Sequence, residues 1–233
     1  MPDKVHENSL IELLHEAERG VAPSPFGKME FSIEGSPVSI QASKDVRDAY
    51  IASIRRHFAR LQFLLTGEII LEITWLISAK SRFETDAKAD IDNCLKPIID
   101  ALTGPEGLIV DDCQLRGLYV CWRHAESGPE RLYFSFEFGA DEYCARSSLA
   151  FVRLTKGLCT PVNRDWPLAV REAWAQALRE GERRKDKMEQ LGVLYPLVTG
   201  LLGTSRPFHV TRLRQFPVIS LDEFVQGGPA SAT

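Results

Sequence analysis

Residues 68–79 constrain the fold more than any other part of this chain. Ile69, Ile70, Ile73, Thr74, Trp75 and Ile77 crowd the segment with β-branched and aromatic side chains. Such residues fit a pleated, half-buried surface, so the segment reads as a central strand. Helical patterns flank it. Residues 44–65 place Val46, Ala49, Tyr50, Ile54, Phe58 and Leu61 on one side and Lys44, Arg47, Arg55, Arg56 and Arg60 on the other. A second helix is expected from about residue 93 to residue 102, closed by Gly104-Pro105. Pro97 lacks an amide hydrogen, so it is expected in the opening turn or as a distortion of it. Residues 28–33 alternate as a first strand. Residues 115–122 and 131–138 alternate as two more, read as a hairpin joined by a Gly-Pro turn. The order β-α-β-α-β-β predicts an α+β fold, with helices packed on one mixed sheet.

The ends read differently. Residues 8–20 space Leu10, Ile11, Leu13 and Leu14 as a short amphipathic helix, and residues 21–25 form a Pro-rich linker. Residues 144–233 read as a mainly helical extension. Its main helix opens near Asp165 and runs to about Gln190, with Trp166 and Trp174 as anchors. The expected organisation is therefore 1–25, 26–143 and 144–233.

The densest chemistry lies at Asp90-Ile91-Asp92-Asn93-Cys94-Leu95-Lys96, followed by Asp111-Asp112. Asp92 has a bland reading as a helix N-cap, which leaves the second aspartate and the lysine unexplained. On a helix Asp92, Lys96 and Asp100 share one flank. A short Gly-Pro-Glu-Gly turn is expected to return Asp111 and Asp112 beside Asp90 and Asp92. Two carboxylates about 4 Å apart repel by roughly 4 kcal/mol at an effective dielectric near 20. One lysine does not neutralise three or four of them, whereas a hard divalent ion with oxygen ligands does. That pattern points to Mg²⁺-assisted phosphodiester hydrolysis. An EF-hand fails, because Cys94 and Leu95 stand where an oxygen ligand and a glycine are required. No zincin pattern, phosphate-binding glycine loop or nucleophile elbow is present. A solvated acidic surface with a helix cap is the competing reading.

Composition sets further bounds. No run approaches the roughly 18–20 apolar residues that span a bilayer, and the first residues lack the pattern of a signal peptide. Five cysteines form no CxxC pair, which favours reduced thiols and a cytoplasmic location over a disulfide framework or a zinc site. Residues 1–145 carry 15 Lys/Arg against 24 Asp/Glu, and residues 146–233 carry 13 against 8. An acidic half joined to a basic half is compatible with a nucleic-acid enzyme, although surface charge drifts along any chain.

The string Asp-Ile-Asp-Asn-x-x-Lys-Pro-x-x-Asp-Ala-Leu-Thr-Gly at 90–104, then Asp-Asp-x-Gln at 111–114, resembles the RusA family of Holliday-junction resolvases. Residues 31–39 and the basic helix after them resemble that family's opening strand, loop and helix, and the likeness covers about residues 28–140. It implies an endodeoxyribonuclease with Asp90, Asp92 and Asp112 as essential metal-binding acids and Lys96 as the catalytic lysine. Asp111 is implied as a neighbouring acid and a further candidate metal ligand, and Asp100 reads as structural. The resemblance also implies Mg²⁺, with Mn²⁺ as a substitute, and a homodimer that nicks branched DNA symmetrically, four-way junctions above all, in recombination and repair. The turn at 104–110 is slightly longer than in the shortest members. The first helix and the C-terminal segment have no counterpart in the family. Lys44, Arg47, Arg55, Arg56, Lys80, Arg82 and Lys88 are candidate phosphate contacts. Phe83 offers a ring for stacking, but core packing is its default reading, as it is for Trp75, Trp122, Phe134 and Phe136. His57 and His124 read as surface or core residues. The alternative function is a non-catalytic DNA-binding or protein-interaction module, of phage or defence type, whose C-terminal extension carries the activity.

Overall fold

The computed structural model describes residues 3–84, 90–125, 128–202 and 206–227. The chain divides into two compact units, Met1–Tyr143 and Cys144–Thr233. The first contains α1 (Asp3–Glu18), β1 (Lys28–Glu34), α2 (Lys44–Phe58), β2 (Phe63–Leu65), β3 (Ile69–Ser78), α3 (Ala79–Phe83), α4 (Ile91–Leu102), a 3-10 turn at Asp112–Gln114, β4 (Leu115–Ala125) and β5 (Arg131–Phe138). β6 (Tyr143–Ala145) straddles the boundary. Among the described residues no helix is long and apolar enough to cross a membrane.

The main sheet has the order β1-β5-β3-β4. β3 is central, as its composition predicts. It pairs with β5 in antiparallel register, with Ile73 opposite Phe134. It pairs with β4 in parallel register, with Ile73 opposite Val120 and Trp75 opposite Trp122. Alternation along β3 buries Ile69, Leu71, Ile73, Trp75 and Ile77. These residues share one core with Ile54 and Phe58 of α2 and with Ile98, Ala101 and Leu102 of α4, so both helices pack on that face.

The expected hairpin of residues 115–122 and 131–138 does not form. The two strands exist, but β3 lies between them. The parallel β3–β4 pair needs a crossover, which α3 and α4 supply. α2 also ends earlier than its pattern suggests. The apolar residues at its end, Phe63, Leu64 and Leu65, are extended and fully buried as β2.

In the second unit β7 (Leu149–Arg153), β8 (Leu158–Asn163), α5 (Leu168–Gln190), α6 (Tyr195–Thr199), β9 (Phe208–His209), β10 (Val218–Ile219) and α7 (Leu221–Gln226) follow in order. The strands form a sheet of order β10-β7-β8-β9. β7 and β8 are not visible as alternation, because Leu149, Ala150, Phe151 and Val152 are buried in succession. Trp166, Trp174 and Leu178 pack with Ala150, Val152, Val162, Ile219 and Phe224, so α5 covers its own unit's sheet.

Candidate active site

α4 carries most of the chemistry, and its placement follows from how its backbone groups are satisfied. Pro97 sits in mid-helix rather than in the opening turn. A proline there leaves the carbonyl four residues earlier without its helical donor. That carbonyl belongs to Asn93, and the backbone N–H of Ile40 donates to it at 2.7 Å. The loop after β1 thereby docks on the first turns of α4. Arg47 donates to the Ile40 carbonyl and braces the same loop.

The other end of α4 is closed completely. Thr103 Oγ1 donates to the Ile99 carbonyl at 2.8 Å. Arg55 donates to the carbonyls of Asp100 (3.2 Å), Ala101 (3.4 Å) and Thr103 (3.1 Å). The amides of Leu108 and Ile109 both donate to Leu102. All four terminal carbonyls of the helix thus have donors. Gly107 makes this return possible, because a Cβ there would lie 2.1 Å from the Leu102 oxygen.

Arg55, expected among the phosphate contacts, therefore serves as the cationic cap of α4. It sits beside the negative end of that helix, and it also pairs with Glu106 at 3.0 Å. Arg55→Ala is expected to lower the unfolding free energy by about 2 kcal/mol. Urea denaturation measures this, and an unchanged midpoint would refute the capping role.

Asp90, not Asp92, occupies the N-cap of α4, and its side chain makes no capping hydrogen bond. Asp92 lies in the first turn and Lys96 one turn further on, both exposed. The expected flank of Asp92, Lys96 and Asp100 is present, and Lys96 forms an ion pair with Asp100. The Arg82 guanidinium lies 3.5 Å from Asp90 Oδ1. Cys94 points into the core, and burial, with smaller contributions from Asp90 and Asp92, pushes its thiol up to about 11. The thiol therefore stays protonated near neutral pH.

Asp111 and Asp112 lie elsewhere. Asp111 caps the 3-10 turn, accepting from the Cys113 amide at 3.0 Å, and Asp112 is half-buried within that turn. Gln114 anchors the turn. It is fully buried, and its amide makes four hydrogen bonds. Oε1 accepts from Val110 N (2.7 Å) and Asp111 N (3.1 Å). Nε2 donates to the carbonyls of Leu65 (3.0 Å) and Gly67 (2.7 Å). The role of Gln114 escapes a reading of residue types, although the Asp-Asp-x-Gln spacing marks the position.

These contacts place Asp111 and Asp112 at the start of β3, next to the C-terminus of α4. Asp90 and Asp92 stand at its N-terminus, roughly 15 Å away along the axis at 1.5 Å per residue. The short turn thus does not bring the two acidic pairs together within one chain. A strand that runs antiparallel to the preceding helix begins where that helix ends. Consistently, no group of three or more His, Cys, Asp or Glu side chains among the described residues is arranged to hold a metal ion.

Of the other predicted phosphate contacts, Lys44 and Arg56 are exposed on α2. Lys80 is exposed on α3, 3.9 Å from Glu84. Lys88 lies outside the described residues. Phe83 departs from its core reading, whereas Trp122 packs against the main core as expected. Phe83 is 70% exposed, and Trp122 is half-buried against it together with His124.

Comparison with curated proteins returns no match. A family model described as endodeoxyribonuclease RusA matches residues 28–132, a span that holds Asp90, Asp92, Lys96, Asp100, Asp111, Asp112 and Gln114. Over residues 28–132 the chain is therefore similar to the RusA family of endodeoxyribonucleases.

Proposed function

We propose that this protein is a Mg²⁺-dependent endonuclease that cuts four-way DNA junctions by paired nicks, acting as a homodimer in DNA recombination and repair. The observation that carries this reading lies inside the family-matched segment. A helix anchored at both ends presents two aspartates and a lysine on an exposed surface, and the N-cap carboxylate of Asp90 is not turned back onto the helix amides.

The donor chemistry of the site fits a hard divalent ion. Asp90, Asp92 and Asp112 offer only carboxylate oxygens, and the nearby thiol of Cys94 is buried. The geometry of one chain supplies just the Asp90–Asp92 end. We therefore assign the third carboxylate to a second copy, so that each site joins Asp90 and Asp92 of one subunit to Asp112 of the other. Two-fold symmetry makes two such sites, which suits two symmetric cuts. When bound, Mg²⁺ neutralises the carboxylates, acidifies a water and stabilises charge on the phosphate oxygens. Lys96 would hold the scissile phosphate. Its pair with Asp100 is solvent-exposed, and such pairs contribute less than about 1 kcal/mol, so a phosphate oxygen competes well for the ammonium. Lys44, Arg56, Lys80 and Arg82 would bind backbone phosphates away from the cut. Asp111 would hold the turn that carries Asp112. The five cysteines are all free thiols, which supports a reducing compartment such as the cytoplasm.

Subunit complementation tests the arrangement. Asp92→Asn and Asp112→Asn are each expected to be inactive alone. Mixed dimers contain one site with every native group, so mixing the two variants after dissociation and reassociation restores nicking of one strand. Continued inactivity of a mixture that demonstrably forms mixed dimers would place all ligands within one chain. A wild type that sediments as a monomer on junction DNA would remove the dimer altogether.

A further inference from the structure

α3 begins where β3 ends, and β4 runs parallel beside β3, so the end of β4 lies next to α3. Three rings meet there. Phe83 lies 5.4 Å from His124 and 6.3 Å from Trp122 between centroids, and Trp122 and His124 are 5.1 Å apart. The contacts on Phe83 are tilted or edge-on, with interplanar angles of 47° and 81°. They brace the ring while leaving it 70% exposed. An aromatic serving the core would be covered; this one is supported and open.

The same cluster carries a cation beside the acidic pair. The guanidinium of Arg82 lies over the Trp122 ring, 5.7 Å from its centroid, and reaches Asp90 at 3.5 Å. A flat aromatic surface next to a guanidinium matches a ligand that joins a flat ring to an anion, which is the chemistry of a nucleotide. In an intact duplex both faces of every base are already stacked. At a branch point bases are open.

We propose that Phe83, backed by Trp122 and His124, stacks on an unpaired nucleobase of the branched substrate, next to the phosphate that Lys96 would hold beside Asp90 and Asp92. This rests on the nuclease reading and adds to it a base contact through which branched DNA is preferred over duplex. Stacking tolerates every base, so the contact selects structure before sequence.

The test uses the full-length protein and a four-way junction carrying 5-iodouracil in turn at each position flanking the cut. Irradiation of the complex in Ca²⁺ is expected to cross-link Phe83, Trp122 or His124 at one such position. Phe83→Ala is expected to bind the junction roughly tenfold to a hundredfold more weakly, the loss of one base–aromatic stack. Phe83→Trp keeps affinity and Phe83→Leu does not, because leucine restores apolar volume without a π face. Cross-links confined to other residues, or rescue by leucine equal to that by tryptophan, would overturn the proposal. Cutting by the wild type with unchanged binding by Phe83→Ala removes the stacking contact and keeps the nuclease. Cross-linking at Phe83 by a wild type that cuts nothing does the reverse. A wild type that neither binds nor cuts branched DNA removes both.

Discussion

Asp92→Asn is expected to abolish junction cleavage while leaving junction binding intact or tighter. The substitution keeps the size of the side chain and its place in the first turn of α4, which is exposed there. What changes is one negative charge. A lost carboxylate weakens the hold on a cation, and metal-ion stabilisation amounts to several kcal/mol, so the cleavage rate falls by about a thousandfold or more. Binding to polyphosphate changes in the opposite sense, because a repulsive charge beside Lys96 and Arg82 is gone. Single-turnover cleavage and a gel-shift titration at fixed salt separate the two effects. Cleavage by the variant at the wild-type rate would remove Asp92 from the site. A wild type that binds junctions but cuts no DNA with either Mg²⁺ or Mn²⁺ would instead identify a non-catalytic module.

Gln114→Leu is expected to be the most damaging single change in the first unit. Leucine fills the volume but satisfies none of the four backbone groups that the amide now serves. Each buried polar group left without a partner costs about 1–3 kcal/mol. Allowing for relaxation, the loss is on the order of 4 kcal/mol, a large share of the roughly 5–15 kcal/mol that holds a typical domain. The damage is also local to function, since the turn that presents Asp111 and Asp112 hangs on this side chain. The unfolding midpoint in urea is expected to fall sharply. Cleavage is expected to be lost even under conditions where circular dichroism reports a folded protein. A midpoint within error of the wild type would show that water or backbone adjustment replaces the glutamine.

Legibility in the sequence followed the physics of each element. β3 was readable because a run of β-branched and aromatic residues fits a pleated, half-buried surface. α4 was readable from its stop signals, and the i, i+4 spacing of Lys96 and Asp100 predicted a shared flank that the ion pair realises. Strand partners were not readable. Residues 115–122 and 131–138 look like a hairpin because alternation reports which face is buried and is silent on which strand lies alongside. The fate of Arg55 was hidden for a similar reason. A basic helix flank suggests phosphate contacts, but the neighbouring helix terminus that captures this guanidinium belongs to a part of the chain 45 or more residues away. Closeness in sequence also misled over the acidic pairs. Asp92 and Asp112 are twenty residues apart, yet a rigid helix lies between them.

That helix has a mechanical consequence for the proposed dimer. If each centre takes Asp90 and Asp92 from one subunit and Asp112 from the other, both ends of a single α4 belong to different centres. The gap between the two cuts is then set by the length of one hydrogen-bonded rod, clamped by Ile40 near one end and by Arg55 and Leu108 at the other. Flexing at the subunit boundary would leave it unchanged. The helix becomes a gauge bar, and adding or deleting residues within it would respace the incisions before it altered the chemistry of either one.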